Sequence, residues 1–137
     1  MKIALTLTIL SAGLLMAADN SPGDAGKKIR DLRQEYVAAL QQAEDLLTTE
    51  YKNDTRSYEE LFQGRLRLLN AKLDAAETRP ERVKFHEKIV EMMKEKEASL
   101  VDALKFKKVD ALKVLNAKAD RIKAEIAWEE AKGNDVK

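Results

Sequence analysis

The chain has 137 residues, enough for one domain, and 36% of them are charged whereas 5% are aromatic. A composition rich in Ala, Leu, Glu, Lys and Arg is typical of long helices and coiled coils. The 25 Lys and Arg residues are interspersed with 24 Asp and Glu residues, which excludes the concentrated basic surface of a nucleic-acid-binding protein. The chain has no cysteine, so disulfides say nothing about its compartment.

The N-terminus has the order of a secretory signal peptide. Lys2 precedes an apolar run over residues 3–16, and small residues and then a polar segment follow it. We expect cleavage after Ala18, a flexible leader over residues 19–26, and export to a periplasm or out of the cell. The run is short for a membrane span. A retained leader, as a membrane anchor or as the start of a core helix, is the alternative.

Beyond the leader, apolar residues recur with a period of about 3.6 on both sides of a single strong break. This pattern predicts an all-α fold with one helix over residues 27–77, a turn at 78–80 and a second helix over 81–132. Pro80 interrupts a helix, and Thr78 and Glu81 have the spacing of a capping box. Because so short a connection makes the helices antiparallel neighbours, we expect a long two-helix coiled-coil hairpin over residues 27–132, followed by a tail over 133–137.

Several charged residues fall on or near the predicted seam between the two helices. In the hairpin register Asp54 could reach Lys108, and Arg65 could reach Glu97. We expect these side chains either to form a polar layer that fixes the register or to extend into solvent.

The second helix carries another apolar strip beside its seam, and we interpret this strip as an interaction surface. A lone two-helix hairpin cannot cover both faces, so self-association, a protein partner or packing of the N-terminal leader is expected there, and we favour self-association. The strip consists of Phe85, Ile89, Met92, Val114 and Trp128.

No pattern of catalytic, metal-binding or cofactor-binding residues stands out. His86 is the only histidine, and no second ligand lies at a metal-binding helical spacing from it. Ser57 and Ser99 have no neighbouring base in the pattern. We therefore expect no enzyme activity, no cofactor, no metal and no small-molecule substrate.

The chain is also locally self-similar. Residues 69–74 (LNAKLD) reappear at 115–120 (LNAKAD), and a shift longer by one heptad aligns the helices as well. Both a true duplication and the degeneracy of heptad patterns explain this similarity.

Residues 60–73, 76–82 (AETRPER) and 110–126 (DALKVLNAKADRIKAEI) resemble the periplasmic helices of TolC-type outer-membrane efflux proteins. They resemble short exported helical proteins with the same pattern more closely, and the resemblance covers residues 50–131. That family commonly has glycine in a Tyr-x-x-Gly segment before each such helix, whereas this chain has Asp54 and Lys107 there. The strand patterns of the family are missing, so the resemblance implies an exported accessory or truncated relative and not a channel.

The sequence thus favours a non-enzymatic, exported coiled-coil protein that acts through protein–protein contacts. One alternative is a small periplasmic helical chaperone or binding module. Another is a membrane-tethered stalk, if the leader is not cleaved.

Overall fold

The computed structural model describes residues 22–133, and the described chain is all α, as the sequence predicts. Its helices are α1 (Pro22–Lys52), α2 (Tyr58–Ala75), α3 (Arg79–Lys105) and α4 (Ala111–Ala131). The predicted signal peptide with its cleavage after Ala18 lies outside the described residues, as does the predicted tail beyond Gly133. No helix in the described range is both long and apolar enough to cross a membrane.

The predicted two-helix hairpin is wrong in one respect, because each long helix is divided into two. Residues 53–57 separate α1 from α2 inside the predicted helix 27–77, and residues 106–110 separate α3 from α4 inside the predicted helix 81–132. Helix α1 also begins at Pro22, so residues 22–26 of the predicted flexible leader are helical. Proline suits this position because the first N–H groups of a helix have no intrahelical partner.

Both additional turns have the same backbone conformation. Asp54 and Lys107 lie in the left-handed region, with φ angles of 56° and 55°. In each turn the N–H of this residue donates to the carbonyl three residues earlier, and the next N–H donates to the carbonyl five residues earlier, at 2.9–3.0 Å. These two bonds satisfy carbonyls that a helix end leaves free, in the pattern of a Schellman motif. The backbone therefore stops each helix without glycine or proline.

The helix that follows each turn begins with a side-chain cap. Ser57, Thr78 and Asp110 each accept a hydrogen bond from the backbone N–H three residues later. At Ser57 and Thr78 a glutamate, Glu60 or Glu81, also accepts from the backbone N–H of the capping residue, which completes a capping box. The predicted capping box of Thr78 and Glu81 is thus present, but the break covers residues 76–78, and Pro80 and Glu81 lie in the first turn of α3.

The helices pack in chain order as a single layer. Among the described residues α1 packs against α2, α2 against α3, and α3 against α4, and no other pair of helices is in contact. Helices α2 and α3 are therefore central, and α1 and α4 are the edge helices. Because neighbouring helices are antiparallel, the turns at 53–57 and 106–110 lie at one end of the layer, which we call the tip end.

The core lies mostly on the two central helices. The buried apolar side chains are Leu61, Phe62, Leu68 and Ala71 of α2, Ile89 and Val90 of α3, Leu40 of α1, and Ala117 of α4. Each edge helix thus contributes one buried side chain. A helix with neighbours on both sides loses more apolar surface to packing than one with a neighbour on one side.

The α1–α2 and α3–α4 hairpins are related by a shift of 53 residues. Lys52 and Lys105 end the first helices, Asp54 and Lys107 take the left-handed conformation, and the second helices begin one residue after Ser57 and Asp110. This is the longer of the two shifts that the sequence suggested, and it aligns the turn hydrogen bonds as well.

Candidate interaction surfaces

The apolar strip predicted on the second helix is largely covered within the described chain. Ile89 is buried, with 7% of its surface exposed. The other members, Phe85, Met92, Val114 and Trp128, are half-buried. Ile89 lines a groove together with Phe62 and Leu66 of α2, so α2 as well as α4 packs against the helices that carry the strip. The prediction instead treated α3 and α4 as one helix. This strip is therefore not a free surface of the chain.

Part of the predicted seam is instead exposed on the edge helices, although Leu40 and Val90 of that seam are buried. On α1 the exposed apolar residues follow one another at alternating spacings of three and four; they are Ile29, Leu32, Tyr36, Ala39, Ala43 and Leu46. We call this set the α1 stripe. On α4 the same spacing gives Leu112, Leu115, Ala119, Ile122 and Ile126, which we call the α4 stripe. Alternating spacings of three and four are those of the contact seam of a coiled coil.

The large members of both stripes are well exposed. Ile29 and Leu32 expose 53% of their surface, and Leu46 exposes 59%. On α4, Leu112 exposes 65% and Leu115 60%. Since soluble proteins rarely leave contiguous apolar surface uncovered, these stripes are the first candidate interaction surfaces in the described chain.

Helical geometry explains why the stripes remain outside the layer. Successive residues turn by about 100°, so the α4 stripe lies nearly opposite the face that holds Ala117 and Arg121. Ala117 is 4% exposed, and Arg121 binds Glu97 of α3. The face that packs on α3 and the α4 stripe are thus different faces of one helix.

The two predicted register pairs do not form. Asp54 lies in the α1–α2 turn and Lys108 in the α3–α4 turn, where the Lys108 ammonium is 6.0 Å from the centroid of the Phe106 ring. The division of each long helix takes both residues out of helices, so neither lies on a helix that faces the other.

Arg65 and Glu97 each find a partner within their own hairpin. Arg65 Nε donates to Glu44 Oε1 at 2.9 Å. Burial raises the pKa of Glu44, but hydrogen bonds from Arg65 and Thr48 outweigh burial, so the pKa lies below its usual value. Half-burial of such a pair makes the loss of one partner costly, because the other charge stays desolvated.

In the α3–α4 hairpin the corresponding ion pair is a small network. Glu97 binds the Arg121 guanidinium, which also binds Glu125 at 2.6 Å. Lys94 approaches Glu125 at 3.4 Å. The hydrogen bonds that Arg121 donates, first to Glu97 and then to Glu125, raise the pKa of Arg121, so this side chain stays charged.

A groove crosses α3 on one face of the layer, between α2 and α4. Its volume is about 410 Å³. Phe62 and Leu66 of α2 and Ile89 and Met93 of α3 supply apolar walls. Polar residues line it as well, namely His86, Lys96, Asp120 and Lys123. This groove is the second candidate surface for a partner.

His86 lies in this groove and is half-buried. Burial lowers the pKa of its imidazole, and the nearby Glu130 carboxylate opposes that effect only in part. Within residues 22–133 no three His, Asp or Glu side chains converge as a metal site. The geometry around His86 is that of a half-buried structural histidine.

The sequence contained a signal for the exposed stripes, but the predicted hairpin hid it. Leu40 and Leu47 of α1 face α2. Ala39 and Leu46, each one residue earlier, belong to the exposed α1 stripe. Two overlapping apolar series on one helix indicate two contact faces.

Comparison with known proteins finds no family model, no curated protein and no solved structure that matches the chain.

Proposed function

We propose that this chain is a non-enzymatic helical protein that acts through protein–protein contacts, and that the α1 and α4 stripes make those contacts. The observation that carries the proposal is the exposure of a seam of coiled-coil spacing on each edge helix. A helix that packs one such seam against its neighbour and exposes a second seam to solvent can bind a further helix there.

The energy available at such a seam supports this role. Burial of a Leu, Ile or Val side chain contributes about 1.5–3 kcal/mol. Each stripe holds several large apolar side chains that are about half exposed. Covering them would contribute free energy that opposes the ordering cost of association.

An exported setting is part of the proposal. Its support is the order of Lys2, the apolar run 3–16 and the small residues up to Ala18, which is the order of a secretory signal. The resemblance of residues 50–131 to TolC-type periplasmic helices agrees with this setting. We propose that the chain serves there as an accessory protein, since it offers contact surfaces and no pattern of catalytic residues.

The experiment that tests the stripes places a charge in each of them. Leu32→Glu and Ile122→Glu are expected to weaken association by more than about tenfold, because the glutamate would have to be desolvated in a helix–helix contact. Ala38→Glu is the matched control, since Ala38 is exposed on α1 outside the stripe. Association is measured by cross-linking in expressing cells and by sedimentation of the purified protein.

Circular dichroism shows whether each variant stays folded, as expected for exposed positions. If both stripe variants keep all cross-linked species of the parent protein, the stripes do not carry the function.

The groove supports a second candidate, a chaperone or binding module that holds apolar segments of other proteins. Asn70 is exposed and lines the groove, so Asn70→Trp would fill it without disturbing a buried side chain. A chaperone role predicts that the parent protein suppresses aggregation of an unfolded client and that Asn70→Trp abolishes the suppression. If the stripe variants lose the suppression and Asn70→Trp keeps it, the client binds the edge helices and not the groove.

A further inference from the structure

We propose that the α1 stripe binds a second copy of this chain, which presents its α4 stripe in the antiparallel direction. The inference rests on the proposed function, because it names the partner of those two stripes. In the register we infer, the facing layers, with the α1 residue first, are Ile29 with Ile122, Leu32 with Ala119, Tyr36 with Leu115, and Ala39 with Leu112.

Side-chain size favours this register. Every layer contains at least one large apolar side chain, and both small residues face a large one, as efficient packing requires. A shift by one heptad in one direction puts Ala39 opposite Ala119 and Ile29 opposite Glu129. A shift in the other direction puts Tyr36 opposite Lys108. Each alternative leaves a poorly filled layer or a charge in the seam.

Charge gives independent support for the same register. Glu35 and Lys118 are both exposed, and neither forms an ion pair within residues 22–133. Each flanks its stripe at the position from which coiled coils form ion pairs between helices. In the inferred register Glu35 faces Lys118 of the second copy. The heptad shift that stacks the alanines would bring Glu35 against Glu125 instead, which is repulsive.

Pairing of identical stripes is less favourable. Two antiparallel α1 stripes would place Glu35 beside Gln42, which offers no opposite charge. Two antiparallel α4 stripes would place Lys118 beside Glu125, which already binds Arg121 and Lys94 in its own chain. The contact between α1 and α4 alone gives a new partner to charges that lack one.

The inferred contact displaces the second copy along the helix axis. Residues 29–39 lie in the half of α1 away from the tip end, whereas residues 112–122 begin α4 at the tip end. Contact between these two segments requires the second copy to be displaced along the helix axis by roughly 20–30 Å, since a helix rises by about 1.5 Å per residue. A level arrangement would leave Ile29 and Leu32 beyond the end of α4, whereas the inferred one leaves Ala43 and Leu46 beyond its start.

This displacement determines the type of assembly. The contact is heterologous, and each further copy moves in the same direction, so a ring cannot close. Association is therefore open-ended, and the mean mass rises with concentration without a plateau at a dimer or trimer.

Engineered cysteines test the register directly, because the chain has no cysteine of its own. Leu32→Cys protein is mixed with Ala119→Cys protein under mild oxidation, and disulfide-linked dimers are followed on non-reducing gels. Facing positions bring the Cα atoms within disulfide reach, and positions one heptad apart do not. The control mixture is Leu32→Cys with Ile126→Cys. We expect the first mixture to cross-link several-fold faster, and equal rates would overturn the register.

A charge exchange tests the ion pair. Glu35→Lys and Lys118→Glu are each expected to weaken self-association roughly fivefold, and the double variant to restore it to within about twofold. Glu87→Lys is the control, since Glu87 is an exposed residue of α3 without an ion pair. A double variant that associates more weakly than either single variant contradicts the proposed facing of these residues.

The outcomes separate this inference from the proposed function. If Leu32→Glu removes contacts while the charge exchange and the cysteine pairs show no preference, the stripes bind another protein and the self-association is refuted. A parent protein that stays monomeric, or that stops at a closed dimer or trimer, also refutes it. If Leu32→Glu has no effect in any assay, both proposals fail together.

Discussion

The two hairpins share a backbone plan but differ in what surrounds them. Their turns have the same φ angles and hydrogen bonds, and Glu44 and Glu97, at equivalent positions, both bind an arginine of the following helix. In the α1–α2 hairpin, however, the first helix is at the edge and the second is central. In the α3–α4 hairpin the first helix is central and the second is at the edge.

Equivalent residues therefore experience opposite environments. Val90 of central α3 is 1% exposed, whereas Val37 of edge α1 is half-buried. Phe62 of central α2 is 3% exposed, whereas Leu115 at the equivalent position of α4 is 60% exposed. Local sequence sets the turns, and position in the layer decides which apolar residues become core.

The largest expected effect tests this contrast between Phe62 and Leu115. Phe62→Ala removes a buried ring that lies 6.3 Å from the Tyr58 ring and under the Lys96 ammonium at 4.4 Å. We expect it to lower the free energy of unfolding by about 3–5 kcal/mol. Leu115→Ala should change it by less than about 0.5 kcal/mol, because the side chain is exposed in the isolated chain. Urea unfolding followed by circular dichroism at low protein concentration measures both.

A similar cost for both variants would mean that α4 packs into a core as α2 does. The position of each helix in the layer would then not account for the difference between the hairpins.

The turns differ in their side chains despite their common backbone. In the first turn Arg56 bridges Glu50 at 2.7 Å and Glu60 at 3.0 Å. In the second turn Asp110 caps α4, and Phe106 is 73% exposed. The second turn thus holds its left-handed residue with fewer contacts, so the identity of that residue should matter more there.

Glycine substitution at the two left-handed positions sharpens this difference. A lysine in the left-handed region carries a strain of about 1–2 kcal/mol, which glycine relieves at a smaller entropic cost. We expect Lys107→Gly to stabilise the fold by about 0.5–1 kcal/mol. Asp54→Gly should gain less, because aspartate tolerates this conformation. Thermal unfolding gives both values.

Lys88→Gly, in the exposed interior of α3, is the control and should destabilise the fold by about 1 kcal/mol. Destabilisation by Lys107→Gly would show that the lysine side chain contributes contacts that outweigh the strain.

The sequence predicted the helical class and the turn at Pro80, but it did not reveal the other two turns. Pro80 marks its turn by chemistry that no helix interior tolerates. Residues 53–57 and 106–110 contain neither glycine nor proline, and the apolar period stays nearly in phase across them. The available signals were weaker: the spacing of Ser57 and Glu60, and the replacement of an expected glycine by Asp54 and Lys107.

These two missed turns explain the error in the candidate surfaces. With continuous helices, residues such as Leu32 and Ile126 face each other and fill the seam. With four helices, α2 and α3 come between them, and each is exposed on its own edge. Periodicity identifies which residues share a face, but only the chain topology tells which face is covered.

The smallest expected effect concerns another pair of equivalent positions, Arg33 on edge α1 and His86 on central α3. Arg33 is exposed, whereas His86 lies in the groove, where burial lowers its pKa more than Glu130 raises it. The folded protein thus favours the neutral imidazole. The unfolded chain takes up the proton at its ordinary pKa, so acidification through that value stabilises the unfolded state.

We therefore expect stability to fall as pH decreases from about 7.5 to 5.5, by less than the gain from Lys107→Gly. His86→Gln should abolish this slope, because glutamine does not titrate. Urea midpoints at four pH values compare the two proteins. Carboxylates whose pKa is lowered in the folded protein, such as that of Glu81, also make the fold less stable on acidification. They do so at lower pH, because the ordinary pKa of a glutamate lies near 4.3. An unchanged slope in His86→Gln would show that the central position of α3 does not desolvate this histidine.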